Sequence, residues 1–380
     1  MDSVLCERFG IEFPLFAFTH CRDVVAAVTN AGGFGVLGAV AHTPETLEIE
    51  LAWIDNAVKG KPYGVDLLIP NKLEDKSAAP SVRELEARIP PEHRAYVEDM
   101  LARQGIETSD LWSEGIPENL GDNYREAGAS RLLDVAFSHP IRMIVNALGV
   151  PPEYMLDRAH ATGVAVGALT GAREHAVKHA KAGVDILVVA GTEAGGHCGE
   201  VSTLVLVPEV LEALRPYGEI PILAAGGIVT GRQMAACMAM GAAGAWTGSV
   251  WLTTAEAETT PTVKEKMLKA TSRNTVRSRS RTGKPTRQLQ SAWTDAWTAS
   301  GAPDPLPMPL QQVLSAPVFR KVDKLAEGGH EGAKALASYY VGQGVGLMNT
   351  TQSARSVVYD FMQDFADAAE RLSRVLGEAS

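Results

Sequence analysis

The chain is short of positive charge. Its 35 Lys and Arg are outweighed by 45 Asp and Glu, which leaves a net charge of −10 and a pI near 5.5. That balance excludes general binding to nucleic acid or to an anionic membrane surface. Long apolar runs are also missing: none approaches the roughly 18 residues of a membrane-spanning helix. The first residues, Met1 to Arg8, lack the basic and then apolar regions of a secretory leader. Only four cysteines occur, Cys6, Cys21, Cys198 and Cys237, and none forms a C-x-x-C pair. They read as reduced thiols of a cytoplasmic protein. No Walker motif and no Ser/His/Asp order is legible.

Glycine, by contrast, is plentiful, with 36 residues clustered after apolar runs. The most informative stretch is Gly191-Thr-Glu-Ala-Gly-Gly-His-Cys-Gly199, directly after Ile186-Leu-Val-Val-Ala190. A short β-branched run bounded by glycine is the pattern of a strand buried on both faces. The loop after it lifts one imidazole, His197, off the strand end. In parallel α/β proteins ligands bind at such carboxyl ends, and glycine lets the backbone approach them closely.

Strand-like and helix-like segments alternate along the rest of the chain. Strands are expected at Pro14–Phe18, Gly35–Leu37, Gly64–Ile69, Leu132–Phe137, Val164–Ala168, Asp185–Ala190, Pro221–Ala225 and Ala243–Thr247. Helices are expected between most of them. Thr43-Pro-Glu is a helix start, with a capping hydroxyl followed by proline, and Ala172–Ala182 and Thr230–Met240 are two more. Eight strands alternating with helices imply a (β/α)8 TIM barrel; an open doubly wound sheet is the alternative. Residues 70–130 are charged, proline-punctuated and helical, and read as an insertion. The expected organisation is a barrel from 1–69 and 131–252, the insertion 70–130, a small C-terminal lid domain at 253–350, and a terminal helix within 351–380.

The last strands end alike, in Gly195-Gly196-His197, in Gly226-Gly227 and in Gly248-Ser249. Bare N–H groups and helix N-termini suit a phosphate. Two other patterns are decoys. Gly33-Phe-Gly-Val-Leu-Gly38 fits G-x-G-x-x-G, but it follows a helix and opens a strand, the reverse of a dinucleotide fingerprint. His175 and His179 have metal-ligand spacing, yet lie beside Lys178 and Lys181 with no suitable carboxylate, so they read as a solvated face and no metal site is assigned.

Several segments together resemble the nitronate monooxygenase family, formerly called 2-nitropropane dioxygenases. They are Gly191–Gly199, Ala224–Ile228, Gly241–Leu252, Pro14-Leu-Phe, Val28–Gly35 and Tyr63-Gly-Val-Asp-Leu67. Flavin-type enoyl-ACP reductases share this scaffold. The resemblance implies FMN on a TIM barrel. It implies His197 as base or electrostatic catalyst beside the ring, and Asp66, Gly195, Gly196, Gly226, Gly227, Gly248 and Ser249 as cofactor-binding residues. Two positions depart from the family: Phe18-Thr-His20 stands where A-P-M is usual, and Gly64-Val-Asp66 where G-V-N is usual.

Nitronate oxidation by O₂, giving a carbonyl compound and nitrite, is the first functional expectation. The alternative is an NAD(P)H-dependent reductase or dehydrogenase acting on an enoyl-CoA, a quinone or a similar acceptor. A flavin-binding protein without catalysis is a third class, which the intact His197 loop argues against. His20 and His139, at the ends of early strands, are candidate second polar groups. Arg273, Arg277, Arg279, Arg281, Lys284 and Arg287 form a basic run in an acidic chain. It is either a solvated loop or a contact for the phosphates of a CoA thioester or NAD(P)H. Partners are thus a small-molecule substrate, with no nucleic acid and no membrane; a homodimer is left open.

Overall fold

The computed structural model describes residues 1, 3–69, 82–113 and 126–377. Eight parallel strands close into one barrel: β1 (Leu15–Thr19), β2 (Phe34–Gly38), β3 (Gly64–Leu67), β4 (Met143–Asn146), β5 (Ala165–Thr170), β6 (Ile186–Ala190), β8 (Ile222–Ala225) and β9 (Gly244–Thr247), with β9 pairing back to β1. β7 (Gly196–His197) is a short strand outside the barrel. Strands β10 (Thr275–Ser278) and β11 (Thr286–Leu289) form a hairpin whose second strand pairs with it.

Alternation along each strand divides two cores. Val65, Leu67, Ile144, Val166, Leu187 and Val189 point out to the helices. Phe16, Phe34, Val36, Val145, Val188, Leu223 and Trp246 fill the barrel. At its N-terminal end the helix Val4–Phe9 inserts Phe9 against Phe34, ring centroids 4.8 Å apart, and closes that end.

Thr43 caps the helix Pro44–Val58 as its sequence predicts, accepting the Thr46 N–H. Gly35 sits where a β-carbon would meet the Val25 carbonyl, so its glycine serves close helix–strand packing. One expected strand fails. Leu132–Phe137 is not a strand but part of the helix Glu126–Ser138, and β4 begins at Met143. Ala129, Leu132, Leu133 and Ala136 are buried at helical spacing, so the 3.6-residue period outweighs a short apolar run. The helix Thr203–Leu214, between β6 and β8 in the chain, runs through Pro208.

Parts of the 70–130 expectation lie outside the described residues. Its described helix Pro91–Arg103 joins the chain's later half: Tyr96 Oη donates to the Ala296 carbonyl at 2.6 Å, and His93 Nε2 lies 3.0 Å from the Asp304 carbonyl. Among the described residues no helix is long and apolar enough to cross a membrane.

Candidate active site

Every residue assigned to the site from sequence lies at the C-terminal end of the barrel strands. His197, Gly195 and Gly196 follow β6; Gly226 and Gly227 follow β8; Gly248 and Ser249 follow β9. β6, β8 and β9 are neighbours in the barrel, so these loops share one side of the mouth. Asp66 stands across it, in β3.

Asp66 shares a register row with Gly38, Val145 and Gly167 and so faces the barrel interior as Val145 does. It is 5% exposed, and its carboxyl has no hydrogen bond or ion pair among the described residues. Desolvation pushes its pKa well above the ordinary carboxyl value, which favours the neutral acid. Phe18, near the end of β1, and Trp246 of β9 stack with ring centroids 5.8 Å apart.

The glycines divide by what surrounds them. Gly196, at φ +74°, has open space where a side chain would stand. A β-carbon on Gly248 would reach only Phe18, at 3.9 Å. Gly195 instead packs on Val341 and Gly342, while Gly226 and Gly227, both at positive φ, pack on Thr203 and Glu193. Residues 341–344 bridge the loops: Ser249 Oγ accepts the Gly342 N–H at 2.8 Å, and Glu193 O accepts the Gln343 N–H at 2.9 Å. Ser249 keeps its own proton for donation. A hollow of about 570 Å³ opens between Gly226, Gly227, Thr203 and Gly344.

His197 is exposed to the open mouth. Surrounding protein and the nearby Lys284 cation nonetheless hold its pKa below the ordinary histidine value, so it is largely neutral at pH 7. Its Nε2 lies 3.0 Å from Thr282 Oγ1. β11 brings that residue in, because Thr286 is paired with His197 across the short sheet. The Lys284 ammonium makes no ion pair among the described residues.

Other sequence candidates separate. His20 does lie at the mouth, with Nδ1 2.8 Å from the Gly38 carbonyl. His139 does not: it precedes β4, at the opposite end, where Asp55 (2.6 Å) and Glu48 (3.1 Å) hold it. Burial lowers its pKa, but the two carboxylates more than offset this and raise it. A hollow of about 330 Å³ at that end, lined by Asp55, Lys61 and Arg142, is remote from the strand tops. His175 and His179 do not share a solvated face. His179 is buried, with Nε2 3.2 Å from the Leu169 carbonyl, and desolvation brings its pKa down to about 4.

The basic run divides as well. Arg281 stacks on Phe319, its guanidinium carbon 3.7 Å from the ring centre, and donates to the Ser338 carbonyl. Arg287 is buried and donates to the Thr192 carbonyl at 2.8 Å, tying down the His197 loop. Arg277 pairs with Glu200, and Arg279 spans Gly283 and Pro305 carbonyls. Arg281 and Arg287 are therefore internal braces, not a phosphate patch. Glu193, inside the Gly191–Gly199 stretch but not singled out there, accepts both the N–H and the hydroxyl of Thr203; Thr282 had no sequence signal, because its contact with His197 is made at long range.

A closed parallel barrel with glycine loops and His197 at its C-terminal mouth defines a TIM-barrel enzyme of small molecules. The nitronate monooxygenase family model matches residues 3–364, and the chain belongs to that family. It is therefore an oxidoreductase, and the family implies a flavin as its cofactor. The site fits one: an orphaned buried acid faces the interior, and bare glycines with a serine line the mouth. A Mycobacterium tuberculosis (strain H37Rv) protein named "Putative monooxygenase Rv1533" is 53% identical over 379 residues, covering 98% of each chain. A Staphylococcus aureus (strain Newman) protein named "Probable nitronate monooxygenase" is 24% identical, over 93% of this chain and 94% of its own. Among solved structures, a nitroalkane oxidase from Streptomyces ansochromogenes superposes with TM-score 0.77 at 25% identity, covering 98% of this chain and all of the other. FabK from Thermotoga maritima shares the fold, with TM-score 0.69 at 22% identity and 99% of each chain covered.

Proposed function

We propose that the protein oxidises nitronates with O₂ on a bound FMN, giving a carbonyl compound and nitrite, with His197 as base and electrostatic catalyst. The observation that carries this reading is His197 itself. It is a largely neutral imidazole open to the mouth, with the Lys284 ammonium, unpaired among the described residues, acting on it. That pairing suits a substrate that is an anion or becomes one.

Gly196, Gly226, Gly227, Gly248 and Ser249 would hold the phosphate, and Asp66 would meet the ring from inside the barrel. One phosphate site without a dinucleotide fingerprint favours FMN over FAD. When bound, the flavin supplies the redox step. The chain supplies placement and proton handling. With a neutral nitroalkane, the imidazole takes the proton from the carbon beside the nitro group. The C–H bond breaks, its electron pair moves onto the nitro group, and Lys284 stabilises the resulting anion. A nitronate arrives already deprotonated and needs only the second effect. Residues 253–350 form the lid over the mouth, braced by the described part of 70–130. The four free cysteines suit a reducing cytoplasm.

Steady-state assays test the reading. The expected result is nitrite formation and oxygen uptake with an alkyl nitronate, and no NAD(P)H oxidation with enoyl-CoA or quinone acceptors. NAD(P)H turnover without nitrite formation would replace this reading with the reductase one.

A further inference from the structure

We propose that Thr282 is a positioning residue for His197: its hydroxyl holds the imidazole as the Nε2–H tautomer and so makes Nδ1 the atom that exchanges protons with substrate. This rests on the reading of His197 as the proton-transfer group.

The argument is a count of hydrogens. A threonine hydroxyl has one proton to give and two lone pairs to receive with. Thr282 Oγ1 has three polar neighbours: the Lys284 carbonyl at 3.1 Å, the Lys284 N–H at 3.3 Å, and His197 Nε2 at 3.0 Å. A carbonyl can only accept, so the hydroxyl proton goes to Lys284 O. The backbone N–H can only donate, so it takes one lone pair. The remaining lone pair faces His197, and Nε2 must carry a proton to use it. The opposite assignment, with the hydroxyl donating to a bare Nε2, would leave two acceptor oxygens facing each other at 3.1 Å. In the neutral imidazole a proton on Nε2 leaves Nδ1 bare, and Nδ1 has no partner among the described residues.

The turn that carries Thr282 is fixed independently of His197. Thr282 is buried. Gly283 has φ +85°, and a β-carbon there would strike the backbone of Leu306 and Met308. Gln311 Nε2 donates to the Ser280 carbonyl at 2.7 Å, and Ser315 Oγ to the Arg281 carbonyl at 2.7 Å. The helix Leu310–Glu327 thereby holds the two residues that lead into Thr282. The chemical consequence is specific. A carboxylate in this position would stabilise the imidazolium. A hydroxyl orients the ring without adding negative charge, and Lys284 opposes the charged form. The histidine is thus tuned as a weak base, adequate for an acidic carbon.

The test is ¹⁵N NMR of the FMN-loaded protein labelled at histidine, with the His197 signals assigned by their loss in His197→Ala. Above its pKa, wild-type His197 should show a pyridine-type Nδ1 and a pyrrole-type Nε2. Thr282→Val should mix the two tautomers, and Thr282→Ser should restore the wild-type pattern. In kinetics with a neutral nitroalkane, Thr282→Val should lower kcat/KM by roughly three- to tenfold, the size of one neutral hydrogen bond, and Thr282→Ser should recover it. A pyridine-type Nε2 in the wild type would overturn the proposal. So would an unchanged tautomer ratio in a folded, flavin-loaded Thr282→Val, even with activity reduced. Full activity of His197→Ala would overturn the underlying reading and the role of Nδ1, while leaving the ¹⁵N assignment intact; the two failures are therefore distinguishable.

Discussion

At the residue scale, the proposed chemistry rests on two ionisable groups, His197 and Asp66, and desolvation shifts both. His197→Ala should keep the flavin. It should lose about 10²- to 10⁴-fold in turnover of a neutral nitroalkane and much less with the preformed nitronate. Equal losses with the two substrates, read from initial rates, would show that the ring acts by packing instead. Asp66 makes a different prediction. Its pKa is raised in the folded chain, so above the unfolded value of about 3.9 the unfolded chain releases a proton that the folded one keeps. Stability from this group therefore falls as pH rises through that value, by up to ~1.4 kcal/mol per pH unit. Asp66→Asn, which is neutral and similar in shape, should stabilise the apoprotein at pH 7 and have little effect near pH 4. Chemical denaturation at the two pH values measures this. His197 was legible in the sequence because it stands in a glycine loop after a strand. Thr282 was not, because 85 residues separate it from its partner, and only the β7–β11 pairing brings them together.

At the scale of elements, His179 on the helix Arg173–Ala182 sets an acid limit. Its pKa is about 4 when folded and about 6.5 when unfolded. Its contribution is present above pH 6.5 and lost as pH falls toward 4, about 3 kcal/mol in all. This slope opposes that of Asp66 over the same range. His179→Gln should flatten the fall in melting temperature between pH 6.5 and 4; an unchanged slope would contradict the assignment. The helix Gly231–Ala239 packs on Ala354–Leu376 so closely that a β-carbon on Gly231 would run into the Phe361 carbonyl. Gly231→Ala should therefore cost a few kcal/mol, read as a lower melting temperature. Seven strands were legible to within a few residues, because buried strands of a parallel barrel are short apolar runs next to glycine. The fourth was not. Leu132–Phe137 is apolar enough to pass for a strand, and only the further buried residue Ala129, one turn earlier, reveals the helix.

At the scale of the whole molecule, the fold explains why one end is the site. Phe9 and its neighbours close the N-terminal end, while the glycine loops, Asp66 and His197 meet at the other. The later half of the chain returns to that end twice, as the β10–β11 hairpin on β7 and as residues 341–344 between the loops. Val341 and Gly342 carry no chemistry of their own and act by fitting against Gly195. Heat should release a flavin with the mass of FMN; recovery of FAD would refute the single-phosphate site. Under the proposed function a nitronate, and not a nicotinamide, delivers electrons to the cofactor. Anaerobic stopped-flow absorbance tests it most directly. The oxidised flavin band should bleach on mixing with an alkyl nitronate, and not with NADH or NADPH. Bleaching by NADH or NADPH with no response to nitronate would contradict it.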